Sequence, residues 1–233
     1  MKILALDSST ELCSVALWLD GEKLVREELA GQRHSELLLP MVQELLTEAG
    51  LDLKALDGIA FGEGPGSFTG LRIGLATALG LAFGTDRLLV PVPTLAALAT
   101  QAKTAGLIAP VLDARRGEVY AGLYHADGRE VVPDSCSSVS AFLARLPAGE
   151  AIAFLGGGVD LHRAEIAARL GGRAIFLPVD AGCLRAASVG RLGLRLEAAG
   201  HAIAPERVEL RYLRRAEAES KRLALHAYGE PIP

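Results

Sequence analysis

An internal repeat at an offset of 106 residues, Asp7 to Asp113, limits the folds open to this chain of 233 residues. Leu6-Asp7-Ser8-Ser9-Thr10, followed by Cys13 to Trp18, lines up with Leu112-Asp113-Ala114-Arg115-Arg116, followed by Val119 to Tyr124. Each copy reads as an apolar strand ending in Leu-Asp, a polar turn opened by a carboxylate, and a second strand ending in a Leu-aromatic pair. Two unrelated hairpins could share these features. The alternative is a duplicated α/β domain whose two Asp-led turns face each other across a cleft.

The remaining pattern fits duplication. Residues 2–8, 12–19 and 22–29 read as an antiparallel meander with Asp20-Gly21 as its tight turn. A helix over 35–49, a strand over 57–62, a helix over 69–84, a strand over 88–92 and a short helix from Pro93 complete a first lobe, 1–100. A second, smaller lobe, 101–206, carries the hairpin at 109–124, a strand at 151–155 ending in Gly156-Gly157-Gly158, and helices over 161–170 and 185–199. The tail over 207–225 reads as a helix with a polar face that rejoins the first lobe.

Half of the residues are hydrophobic, and 24 basic side chains stand against 28 acidic ones, which is a globular composition. A net charge of -4 argues against a surface that binds nucleic acid by itself, leaving RNA as a substrate reached through a partner. Cys13, Cys136 and Cys183 are far apart and show no CxxC spacing, which excludes a zinc knuckle and argues against a disulfide framework. The apolar run before Asp7 is too short for a signal-peptide core, and Arg72, Arg87 and the prolines interrupt any membrane span, so a cytoplasmic protein is expected.

Two helices carry more apolar surface than one sheet needs. On the first, Leu37, Leu38, Leu39, Met41, Val42, Leu45, Leu46 and Ala49 spread over an arc of about 200°, where packing on a single sheet takes a stripe of roughly 100°. The second has no charged side chain between Ile73 and Thr85. Gly70, Gly74 and Ala78 recur on it every four residues as a smooth stripe, opposite Leu75, Leu79 and Phe83. Either the second helix lies in the middle of a large core, or both pack on their sheet with one face and on another protein with the other. The second reading places Leu38, Met41, Leu45, Gly70, Gly74 and Ala78 at a partner interface.

The loop Gly62-Glu63-Gly64-Pro65-Gly66-Ser67 ends a strand and opens the second helix. Backbone N–H groups and a positive helix end suit an anion there. Yet the loop has neither Walker nor GxGxxG spacing, and Glu63 would repel a phosphate. A turn that merely starts the helix is the other reading of Gly64, Pro65, Gly66 and Ser67.

The N-terminal Leu6-Asp7-Ser8-Ser9-Thr10, the segment Gln32 to Pro40, the loop Gly64 to Gly74, and Pro205 with Arg211-Tyr212-Leu213-Arg214 resemble the TsaB family, also called YeaZ. The match is close over the first 125 residues and loose beyond. That family is a bacterial subunit needed to make threonylcarbamoyladenosine in tRNA. The resemblance implies an α/β fold of two duplicated ribonuclease-H-like lobes, that of the sugar kinase, heat-shock protein 70 and actin (ASKHA) superfamily. It also implies that Asp7, Ser9 and Thr10, Asp113, and Gly156, Gly157 and Gly158 stand where relatives bind phosphates and adenosine. The cleft is then a nucleotide site or its relic. No cofactor is expected for the chain alone, and ATP only in an assembled complex.

The resemblance further implies pairing with the catalytic paralogue TsaD through the two N-terminal helices, docking of the small ATPase TsaE on that pair, and a homodimer through the same surface when alone. TsaD holds a metal with two histidines four residues apart on the helix that follows the strand corresponding to Leu88 to Val92. Here that helix reads Thr94-Leu95-Ala96-Ala97-Leu98-Ala99, and no histidine lies between His34 and His125. A metal site, and with it metallopeptidase chemistry, is therefore not expected. His34 reads as an exposed polar residue or a cap at a helix start rather than a ligand, the other histidines share no spacing, and Ser67 lacks the G-x-S-x-G pattern. Arg211, Arg214, Arg215, Lys221 and Arg222 read as a solvated helix face. The expected function is a non-catalytic subunit. The alternative is an enzyme with its own nucleotide-dependent transfer or hydrolysis in the Asp7/Asp113 cleft.

Overall fold

The computed structural model describes residues 1–31, 33–104, 106–178 and 182–214. Strands β1 (Lys2–Asp7), β2 (Leu12–Leu19), β3 (Glu22–Leu29), β4 (Gly58–Gly64) and β5 (Leu88–Pro93) form one sheet in the order β3-β2-β1-β4-β5. Strands β6 (Leu107–Arg115), β7 (Glu118–His125), β8 (Glu130–Ser138), β9 (Ile152–Leu155) and β10 (Ala174–Phe176) form a second, in the order β8-β7-β6-β9-β10. The sheets match strand for strand, with β1 equivalent to β6 and β2 to β7. The 106-residue repeat is therefore a repeat of topology.

Central strands are apolar on both faces because both are covered. β1 pairs antiparallel with β2, from Lys2 opposite Leu19 to Asp7 opposite Ser14, and parallel with β4. Helices α1 (His34–Ala49) and α2 (Phe68–Phe83) cover the outer face of the first sheet, and α4 (Val139–Leu143) and α5 (Val159–Leu170) that of the second. Between the sheets lie α3 (Thr94–Ala99) and α6 (Ala186–Ala198). One core joins Ile3, Ala60 and Val90 of the first sheet to Ile108, Leu112 and Leu155 of the second through these two helices.

Several expectations change. Helix α6, read with the second lobe, packs on the first sheet; a Cβ at Gly190 would collide with the Trp18 indole, and one at Gly193 would lie 2.7 Å from the Ala60 methyl. Small residues on that face let a helix and a sheet approach closely. Strands β8 and β10 and helix α4 went unread, since β8 (EVVPDSCSS) contains proline and little apolar alternation. The tail expected to be helical from 207 has a single 3₁₀ turn, Pro205–Arg207, and no helix through Arg214. The rest of that expected helix, 215–225, lies outside the described residues.

Candidate functional site

Asp7 ends β1 at the centre of the first sheet and is only 1 % exposed. Its Oδ2 accepts from the Ser9 backbone N–H and the Ser9 hydroxyl, each at 3.1 Å, while Oδ1 is buried with no partner. Burial pushes the carboxyl up to about 7, against the pull of the two Ser9 hydrogen bonds. Above it sits Gly62, where a Cβ would collide with Oδ1. Thr10 Oγ1 is likewise buried without a partner.

The glycine loop lies directly on this turn. Ser67 N–H donates to Ser9 O at 2.8 Å, and Gly64 N–H to Thr94 Oγ1 at 3.2 Å. A Cβ at Gly66 would come within 2.7 Å of Ser9 O, one at Gly70 would collide with Ser8 O, and one at Gly74 would crowd Ser8 Oγ at 2.8 Å. The Gly64–Pro65 peptide bond is cis, and Ser67 caps α2 by accepting from Gly70 N–H at 3.2 Å. Gly62, Gly66, Gly70 and Gly74 are thus accounted for by close contact with the chain's own first turn, and Gly64 by a left-handed backbone and by Arg211 O, 2.6 Å from where a Cβ would stand.

Across the cleft, Asp113 Oδ1 accepts from Arg115 N–H at 2.7 Å and Oδ2 pairs with the Arg115 guanidinium at 3.2 Å. Arg115, Arg116 and Gly117 all have left-handed backbone. Gly156 and Gly158 press on the end of β6 through Val111 and Leu112, whereas Gly157 is open. The fold implies a nucleotide between the lobes, but these residues do not fit its phosphates as they stand. Asp7 is sealed under Gly62, and the turn amides of Ser9 and Arg115 are already donated to the carboxylates that open their turns.

The residues assigned to a partner interface need correction. Leu38, Met41, Leu45, Gly70, Gly74 and Ala78 are all buried in the chain's own core, the leucines and methionine against the sheet and the glycines against Ser8. The exposed residues of the same helices are another set: on α1, Leu39 and Pro40 among the polar Ser35, Glu36, Gln43, Glu44, Thr47 and Glu48, and on α2, Phe68, Thr69, Arg72, Ala76, Gly80 and Phe83. On α2 the exposed stripe is apolar except for Arg72 and, at its edge, Thr69, and Phe83 is 62 % exposed.

The segment up to Arg214 straps the lobes together. Arg211 N–H donates to Glu63 O at 2.9 Å, and its guanidinium pairs at 3.0 Å with Asp134 Oδ2, a fully buried side chain that also accepts from the Tyr124 hydroxyl. Burial raises the Asp134 and Glu63 carboxyls, and the Arg211 charge opposes both shifts. Tyr212 lies on Phe68 with ring centroids 5.2 Å apart, and Arg214 donates to Ala114 O at 2.7 Å.

The family model for TsaD, tRNA N6-adenosine threonylcarbamoyltransferase, matches residues 25–219. The tRNA threonylcarbamoyladenosine biosynthesis protein TsaB of Bacillus subtilis is 34 % identical over 232 residues, covering 95 % of this chain and 97 % of its own length. The chain belongs to the TsaB family. The TsaB of Haemophilus influenzae is 48 % identical over 123 residues, and there the match spans about half of that relative, 52 % of each chain. YeaZ from Pseudomonas aeruginosa superposes with a TM-score of 0.80 at 35 % identity, covering 91 % of this chain and 99 % of that one. The α/β fold is thus the two-lobed ASKHA fold of TsaB.

In this TsaB-family chain the structure brings Asp7, Ser9 and the loop Gly64–Ser67 together, and separately Asp113 with Gly156 and Gly158. His34, read as an exposed residue or a cap, is buried with Nε2 2.9 Å from Thr10 O. Arg211 and Arg214, expected on a solvated helix, are half-buried partners of the second lobe. Asp134 and Tyr124 were missed, and no local pattern marks them, because the charge that Asp134 pairs with, Arg211, is 77 residues away in sequence, and Tyr124 matters only through its bond to Asp134.

Proposed function

We propose that this chain is a non-catalytic subunit of the tRNA N6-threonylcarbamoyladenosine synthase complex. It docks on the TsaD-type transferase through the solvent faces of α1 and α2, and a TsaE-type ATPase seats on the resulting pair. One observation carries the reading: a 16-residue helix, already packed on its sheet, presents a second apolar stripe to solvent. Its middle, Ala76 and Gly80, is small enough for another helix to come close, and Phe68 and Phe83 stand at the two ends to close over it. Alone, a second copy covers the same face.

Two further features support a subunit that leaves the chemistry to its partner. Asp7, the residue a nucleotide-using enzyme would need at hand, is buried under Gly62. The acidic net charge suits a protein that meets tRNA only inside the complex. No helix among the described residues is long and apolar enough to cross a membrane, and the place of action proposed is the cytoplasm.

Reconstitution with purified transferase and ATPase tests the role: modified tRNA should form with this chain present and not without it, and equal activity in its absence would refute the subunit role. Phe83→Asp tests the face. Because Phe83 is exposed, the variant should fold and melt like the parent yet lose association in sedimentation velocity; retained association would rule this face out.

A further inference from the structure

We propose that Arg72 makes the α2 face selective for a partner protein that carries a carboxylate in its apolar helix face, and against a second copy of this chain. The inference rests on the reading of α1 and α2 as a docking surface and adds what the partner must present. Arg72 is the only charged side chain in Phe68–Phe83, and it stands inside the exposed apolar stripe, one turn from Phe68 and one from Ala76.

The guanidinium is held in place. Its Cζ lies 3.9 Å from the Phe68 ring centroid, and Nε donates to the Tyr212 hydroxyl at 3.2 Å. Tyr212 in turn is carried there by the strap that Arg211 fastens to Glu63 and Asp134. Among the described residues Arg72 enters no ion pair and its one hydrogen bond uses Nε, so on this exposed residue Nη1 and Nη2 remain available to an acid on whatever covers the helix. A fork oriented in advance loses little entropy on meeting a carboxylate, and the pair it forms can be bidentate.

Covering the same cation without an acid is costly, since a charge taken out of water must be paired. When α2 packs on α2 of a second copy, neither helix supplies an acid, because Phe68–Phe83 has no Asp or Glu. On α1, Glu44 and Glu48 already pair with Arg26, which leaves Glu36 in the first turn. Arg72 therefore penalises self-pairing and favours a different chain with an Asp or Glu at its level, the usual way in which one surface separates two similar partners.

The test is a pair of affinities measured on the full-length chain: self-association by sedimentation velocity, and binding to the same organism's threonylcarbamoyltransferase by calorimetry. Arg72→Gln should fold like the parent, weaken transferase binding about tenfold or more, and leave self-association equal or tighter. Arg72→Glu should weaken transferase binding further. Equal weakening of both associations, or transferase binding that ignores both substitutions, would overturn the proposal. So would loss of self-association in Glu36→Gln, since a second copy would then be the source of the acid. Phe83→Asp separates the two levels: if it spares both associations, the docking face itself is wrong, whereas if it abolishes both while Arg72→Gln changes neither, only the role of Arg72 falls.

Discussion

Asp7 shows what a single residue can reveal when its surroundings are closed. Its carboxyl is pushed up to about 7 by burial, whereas in the unfolded chain it titrates near pH 4. Between those values the unfolded chain releases a proton that the folded chain keeps. Stability from this group is therefore full below about pH 4 and is lost as pH rises through 7, by up to about 4 kcal/mol. Asp7→Asn keeps an oxygen for the Ser9 donors and removes the titration. Urea unfolding at pH 5 and pH 8 should show the parent losing stability relative to Asp7→Asn as pH rises; identical pH slopes would mean that the carboxyl ionises in contact with water. The place of Asp7 at the strand end was legible from the repeat. Its burial was not, because the covering residue, Gly62, comes from a strand 55 residues away in sequence.

At the scale of elements, helix α2 was read correctly in extent and wrongly in orientation. The spacing of Gly70, Gly74 and Ala78 marks a face that something approaches closely, but a sequence does not say what. In the structure it is the turn Ser8–Ser9 of the same chain, and the docking stripe lies on the other side. The two kinds of glycine should respond oppositely to one added methyl group. Gly70→Ala drives a Cβ into the Ser8 carbonyl and should cost about 3 kcal/mol or more, whereas Gly80→Ala meets nothing within 4 Å and should stabilise by up to about 1 kcal/mol. Chemical denaturation of the two variants measures both, and similar effects would refute the orientation of α2. Leu45 teaches the same lesson: it is fully buried, so a charge placed there would disrupt the core and report nothing about an interface.

For the whole molecule, the shared core decides behaviour. Helix α3 is buried along its full length between the two sheets, and α6 connects back to the first sheet from beyond the second. Neither lobe can expose its inner face without uncovering these helices, so calorimetry should record one unfolding transition, with calorimetric and van't Hoff enthalpies in agreement. Arg211→Ala strips the partner from buried Asp134 and should lower stability by about 2–4 kcal/mol while keeping the single transition. Two separated transitions in the parent would show that the lobes are independent domains.

The sequence alone determined the duplicated topology, the extents of α1, α2 and the first meander, and the presence of apolar helix surface beyond what one sheet can cover. These follow from periodicity, which is local, and from a repeat, which is legible by comparing the chain with itself and needs no knowledge of contacts. Only the tertiary structure decided which stripe of α2 faces inward, that the glycine loop presses on the chain's own Asp-led turn, and that Arg211 reaches across to Asp134. Each of these depends on what a residue meets after the chain has closed on itself, and a pattern of spacings records that a close approach is possible without recording the neighbour that makes it.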